Sequence, residues 1–193
     1  MITKTINLYK FEELTAEQQA KVIEKNRYIN SDITCNLSSW SDCFIQDLED
    51  KGFLNPDINY SLGGCQGDGA SFTCSELDYN LLLKDYKGKH KSWMKEILEH
   101  FGEITIERIN HNYYHELTCR TEFYDRLPCD YPHILDELGE IVKYIEDIRK
   151  KACLELESQL QAEIDYLESN ECIAETLIAN EYYFNGETLE IES

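Results

Sequence analysis

Nothing basic follows Lys151. The last 42 residues of this 193-residue chain contain no Lys or Arg, yet eleven carboxylates fall there. With 18 basic and 38 acidic side chains the whole chain carries a formal charge of −20. A balance of that sign excludes a broad basic footprint for nucleic acid and repels anionic membrane surfaces. Proline is also scarce, with three residues, and no low-complexity linker interrupts the pattern. No CxxC pair occurs among the eight cysteines, which excludes a zinc ribbon and a thioredoxin-type motif. No stretch approaches the roughly 18 apolar residues of a membrane span, and the first ten residues lack a signal h-region. The expectation is a cytosolic protein whose cysteines are free thiols. Cys65 and Cys74, set to face each other across a hairpin, are the pair to watch.

What is present suffices for a core: 42% hydrophobic and 11% aromatic residues exclude global disorder. The acidity is local, with residues 131–193 holding 16 acidic and 4 basic side chains. Ile2, Ile6 and Leu8 alternate as in a short strand over 2–9. Thr15 with Gln18 forms a capping box that starts a helix running to about Tyr28, with Ala20 and Ile23 inward. Trp40, Phe44 and Leu48 share one face of a helix near 39–51 that Gly52 closes. A third helix near 89–101 carries Trp93, Met94, Ile97, Leu98 and Phe101. Between them Ile58–Leu62, Ala70–Cys74 and Ile104–Ile106 read as strands. Tyr113 to Tyr124 alternate, placing His115, Leu117, Cys119 and Phe123 on one face of a strand and Glu116, Arg120 and Glu122 on the other. From Leu138 to Leu167 apolar residues step by three or four, a helix of about 30 residues and roughly 45 Å. A short helix, Glu171–Ala179, and a hairpin on Asn185-Gly186 complete the chain. The fold class is α+β: a small antiparallel sheet covered by helices, a long acidic C-terminal helix and a terminal hairpin. Residues 1–131 form the core, and 132–193 pack on it or project from it as one domain overall.

Three segments carry a resemblance: Phe11 to Ala20 (FEELTAEQQA); Tyr60 to Phe72 (YSLGGCQGDGASF), followed by Tyr113-Tyr114-His115-Glu116; and Ala179 to Gly186 (ANEYYFNG). Together they resemble a family of small phage and prophage proteins that share the Gln-Gly-Asp-Gly-Ala-Ser-Phe core. The resemblance implies a phage origin and a host-cytoplasm setting, and supplies no catalytic residue.

Three places invite a functional reading. The turn around Gln66, Asp68 and Ser71 can cradle an anion on its glycine amides or a cation on Asp68, or be a turn in which Asp68 caps neighbouring amides. His115 falls on the apolar face of its strand, where it is either a hydrogen-bonded core histidine or, if placed beside Asp68 on one side of the sheet, the partner of Asp68 in a ligand or acid–base site. The lysines at 84, 87, 89, 91 and 95, near Tyr79, Tyr86 and Trp93, have the composition of an aromatic–basic nucleic-acid surface or of a solvated helix start. Finally, Glu155, Glu157, Glu163, Asp165, Glu168, Glu171 and Glu175 line the long helix and its successor and suit a basic partner. The expected function is a non-enzymatic accessory protein that binds a basic surface of a host factor, with no cofactor, no metal and no direct nucleic-acid contact. Its sharpest form inhibits a nucleic-acid-binding defence system, an anti-CRISPR or anti-restriction role by nucleic-acid mimicry. The alternatives are a small metal- or ligand-dependent module on Asp68 and His115, and an antitoxin-like neutraliser of a basic toxin.

Overall fold

Short antiparallel ladders and several helices, one of them long, are seen in a computed structural model that describes residues 6–30, 41–88, 96, 98, 100, 102–125 and 132–192. The start of the first expected strand, Trp40, Trp93, Met94, Ile97, Phe101 and the lysines at 89, 91 and 95 lie outside the described residues. The architecture is α+β, and the chain separates into two units, residues 38–160 and residues 1–37 with 161–193.

In the unit of residues 38–160, α2 (Ser41–Glu49) is followed by a turn that Gly52 closes at φ +101°, its N–H donating to the Glu49 carbonyl at 2.8 Å. Strand β2 (Phe53–Leu54) pairs with β5 (Glu76–Leu77), β3 (Asp57–Ser61) with β4 (Gly69–Thr73), and β6 (Gly102–Arg108) with β7 (Cys119–Asp125), all antiparallel. Reciprocal backbone bonds between Cys74 and Ile106 (3.1 and 2.7 Å) join the β4 end to β6. Ala70, Ser71 and Phe72 are buried in succession, and because successive side chains point to opposite faces, both faces of β4 are covered. Asp78 caps the short α3 (Tyr79–Leu82) through the amides of Asn80 and Leu81. Helix α4 (Pro132–Leu167) has 36 residues, about 54 Å at 1.5 Å per residue. Its apolar stripe, Leu138, Ile141, Ile145, Ala152 and Cys153, packs with Phe53, Phe72, Leu82, Ile104 and Ile106. Each large side chain fully buried there contributes about 1.5–3 kcal/mol of transfer free energy.

In the other unit, β1 (Leu8–Lys10) leads through a 3-10 turn (Phe11–Glu13) into α1 (Ala16–Lys25). The capping box is present: Gln18 N–H donates to the Thr15 hydroxyl, and Thr15 N–H to the Gln18 side chain at 3.0 Å. Ile23 packs on the core as expected, but the fully buried residue of α1 is Val22, and Ala20 is exposed. The helix stops at Lys25 because Asn26 turns back, its side-chain amide donating to the Val22 carbonyl at 2.8 Å. Ser169 caps α5 (Asn170–Ala179), and β8 (Tyr183–Asn185) is the central strand of a β1-β8-β9 sheet with β9 at Ile191–Glu192. The expected two-residue Asn-Gly turn is replaced by a longer loop. The Asn185 side chain accepts from the amides of Glu187 and Thr188, and Leu189 N–H returns to the Asn185 carbonyl. Phe11, Leu14, Val22, Ile173, Leu177, Phe184 and Leu189 form this unit's core.

Candidate functional site

The Gln66–Gly69 turn closes the β3–β4 hairpin, and its anion is its own Asp68. Asp68 accepts the Ser61 hydroxyl at 2.7 Å on one carboxylate oxygen and the Cys65 amide at 2.6 Å on the other. The Cys65 amide first, then Ser61, with Gly63 and Gly64 amides adding, hold its pKa below the usual carboxylate range against the opposing effect of desolvation. The glycine-rich nest is thereby filled from within, which is the capping arrangement the sequence allowed.

The same turn is pressed against the loop that precedes β7. Gly67, at φ +95°, accepts from the Tyr114 amide at 2.9 Å, and a Cβ there would enter the Tyr113 ring. Gly69, at φ +146°, has room for no side chain: a Cβ would lie 2.8 Å from His115 Cα and 3.2 Å from the Glu157 carboxylate. Segments some 45 residues apart, both within the quoted resemblance, thus meet backbone to backbone. The expected strand through Tyr113–Thr118 is not formed. His115 instead caps a 3-10 turn at Glu116–Thr118, its Nδ1 accepting the Leu117 amide at 3.2 Å while its carbonyl takes the Thr118 hydroxyl at 2.7 Å. The Glu116 carboxylate lies 4.0 Å from the same Nδ1. No hydrogen bond joins Asp68 to His115 among the described residues. Ser71 is fully buried and shares a 3.1 Å hydrogen bond with Thr118, and Gln66 is exposed. No group of three or more His, Cys, Asp or Glu among the described residues is arranged to hold a metal ion.

A polar group that the sequence reading passed over lies beneath this corner. Arg149, fully buried, donates to both carboxylate oxygens of Glu146 (2.8 and 2.7 Å) and to the Glu116 carbonyl at 2.8 Å. Glu146 also accepts the amide and hydroxyl of Thr121 at 3.0 and 2.8 Å. Desolvation pushes the Glu146 pKa up, but the Arg149 and Thr121 hydrogen bonds outweigh it and bring it down to about 2. The network fixes α4 to β7 and to the His115 turn. The signal was in the sequence: Glu146 and Arg149 stand at i, i+3, with Arg149 four residues from both Ile145 and Cys153 of the apolar stripe. Burial drives the Cys153 thiol up to about 12. Arg108 is the counterexample, stacked 5.1 Å over the Tyr114 ring and bonded to Asn59, with Nε and Nη2 buried and unpartnered.

The carboxylates of the long helix divide between the two units. Glu155 lies 3.5 Å from Lys51 and 3.7 Å from Lys151, and Glu157 is half-buried over Gly69. In the other unit Glu163 is half-buried with one oxygen unpartnered, whereas Asp165, Glu168, Glu171 and Glu175 are exposed. The Tyr166 phenol, 3.2 Å from Glu175, is raised above its usual pKa chiefly by that carboxylate's charge, with Glu171 adding to it. Lys84 lines a cavity of about 330 Å³ in which Lys51 and Lys151 alternate with Asp50, Asp85 and Glu155. Tyr79 and Tyr86 pack on the core, Tyr86 against Tyr144 at 5.0 Å, rather than interleaving with the lysines. Cys43, Cys65, Cys74, Cys119, Cys153 and Cys172 are free, and Cys74 donates to the Leu54 and Glu76 carbonyls instead of meeting Cys65. No helix among the described residues is long and apolar enough to cross a membrane. No family model, curated protein or solved structure matches the chain.

Proposed function

We propose that this chain is an acidic binding protein whose C-terminal carboxylates dock on a basic surface of a partner protein. One observation carries the reading. In the unit of residues 1–37 and 161–193, four basic side chains between residues 6 and 30 are matched by four acidic ones, and the nine carboxylates of 161–192 have no basic residue among them. Asp165, Glu168, Glu171 and Glu175 are exposed, and the Tyr166 phenol is raised chiefly by the charge of Glu175, with Glu171 adding to it. A field of one sign accelerates encounter with an opposite surface and is screened over a Debye length of about 8 Å at physiological salt. The resemblance to phage proteins supports a host partner in the host cytoplasm. A nucleic-acid-binding defence effector suits the charge, with carboxylates occupying the path of the phosphates in its groove, in the manner of an anti-CRISPR or anti-restriction protein. The test is affinity capture from a host lysate with wild type and with the variant Asp165→Asn, Glu168→Gln, Glu171→Gln, Glu175→Gln. The variant should lose the basic proteins that the wild type retains, while Glu155→Gln with Glu157→Gln retains them. Equal capture by all three would refute the reading.

A further inference from the structure

The segments at the two ends of the chain, which the acidic surface leaves unexplained, enclose a cavity of about 370 Å³ between the start of β1, the α1 capping box and the loop after β8. Its apolar walls are Ile6, Tyr9 and Leu14, and its polar groups include Glu13 and Gln18. Gly186 forms part of the wall, and a Cβ there would lie 2.6 Å from the Tyr9 ring, so a side chain at this position would displace the ring. Glu13 is held in place, one carboxylate oxygen taking the Lys10 amide at 2.8 Å. No Lys, Arg or His lines the cavity among the described residues. It belongs to the unit in which residues 161–192 carry nine carboxylates and no basic residue, and its own lining includes Glu13, so the ligand favoured there is a cation.

We infer that this cavity seats one arginine side chain of the basic partner protein. The inference rests on the function proposed above and names the anchor of that docking. The volume is at the small end of the range for ligand pockets, suited to one long side chain rather than a folded element. A guanidinium is planar: its face stacks on Tyr9 and its N–H groups donate to the free oxygen of Glu13, whereas an ammonium uses the charge alone.

The probes are acetyl-Gly-Gly-Arg-Gly-Gly amide, its lysine counterpart and a polyarginine nonapeptide, titrated by NMR in about 0.15 M salt. The single-arginine peptide should bind wild type, move the Tyr9 ring resonances, and lose about fivefold or more in affinity in Glu13→Gln and in Tyr9→Leu. Glutamine still accepts from the Lys10 amide, so Glu13→Gln keeps the fold, which the unchanged amide spectrum verifies. The surface variant at 165, 168, 171 and 175 should bind the single-arginine peptide within about twofold of wild type, because the seat uses short-range contacts. Three results overturn the inference: no binding of the single-arginine peptide, equal binding of the lysine peptide, or unchanged affinity in both cavity variants. If the polyarginine peptide still binds wild type and weakens in the surface variant, the acidic docking surface stands without the cavity. If polyarginine fails as well, the docking reading falls with it.

Discussion

Replacing Glu146 by Gln removes the counter-charge of a guanidinium that has no exposure to solvent. With a carboxyl pKa of about 2 in the folded chain against an ordinary 4.5, the ionised form is favoured by folding by about 3 kcal/mol. Breaking a buried ion pair on one side costs about 3–5 kcal/mol, so the two routes agree. The sign is that of a depressed carboxylate: the stabilisation is complete above the unfolded pKa and disappears as pH falls through the folded one. The difference between wild type and Glu146→Gln should therefore be about 3 kcal/mol at pH 7 and shrink to about 1.5 kcal/mol at pH 3. Urea unfolding at the two pH values, followed by far-UV circular dichroism, measures it. Amide exchange at Thr121, whose N–H ends on Glu146, localises the loss to this network. Glu146→Gln combined with Arg149→Met should recover most of the stability, since no unpaired charge remains. A difference under about 1 kcal/mol, or one that does not change with pH, would refute the reasoning.

Gly69→Ala should destabilise the chain by about 2–3 kcal/mol in the same denaturation assay, combining positive-φ strain with a Cβ 2.8 Å from His115 Cα. A loss within about 0.5 kcal/mol of zero would show that the hairpin turn and the His115 loop do not pack as described. Arg108→Met should be neutral or stabilising within about 1 kcal/mol, because it removes two buried unpartnered N–H groups and retains the packing on Tyr114. Mass-mapped thiol labelling of the native protein at pH 8 should modify the exposed Cys43 and Cys65 first and Cys153 only on unfolding. Rapid labelling of Cys153 would contradict its burial.

What the sequence made legible was local. The Thr15–Gln18 box, the Gly52 stop and the apolar stripe of α4 are set by residues within a turn or two of each other, and each is in place. The Tyr113–Tyr124 alternation misled because period two fixes neither backbone nor partner. β6 ends at Arg108 opposite Cys119, so nothing remains for residues 113–118 to pair with, and His115 caps a 3-10 turn instead. Asn185-Gly186 has the composition of a tight turn, but the Asn185 side chain organises a wider one while β8 pairs with β1 as well as β9. At the candidate site, Asp68 was found at once, yet its partners were all within seven residues. The approach of Glu157 to Gly69, and the meeting of Tyr9 with Gly186, join positions far apart in the chain, and no single-sequence pattern encodes them.

The central claim is that carboxylates of residues 161–192 bind a basic partner. Its most direct test is the Kd of the captured partner for wild type, measured by calorimetry at about 0.05 and 0.5 M NaCl. The account predicts affinity falling by tenfold or more, on the order of what screening a multi-charge interface produces, with the 165/168/171/175 variant already weak at low salt. An affinity that is the same at both salts, and unchanged in the variant, would contradict it.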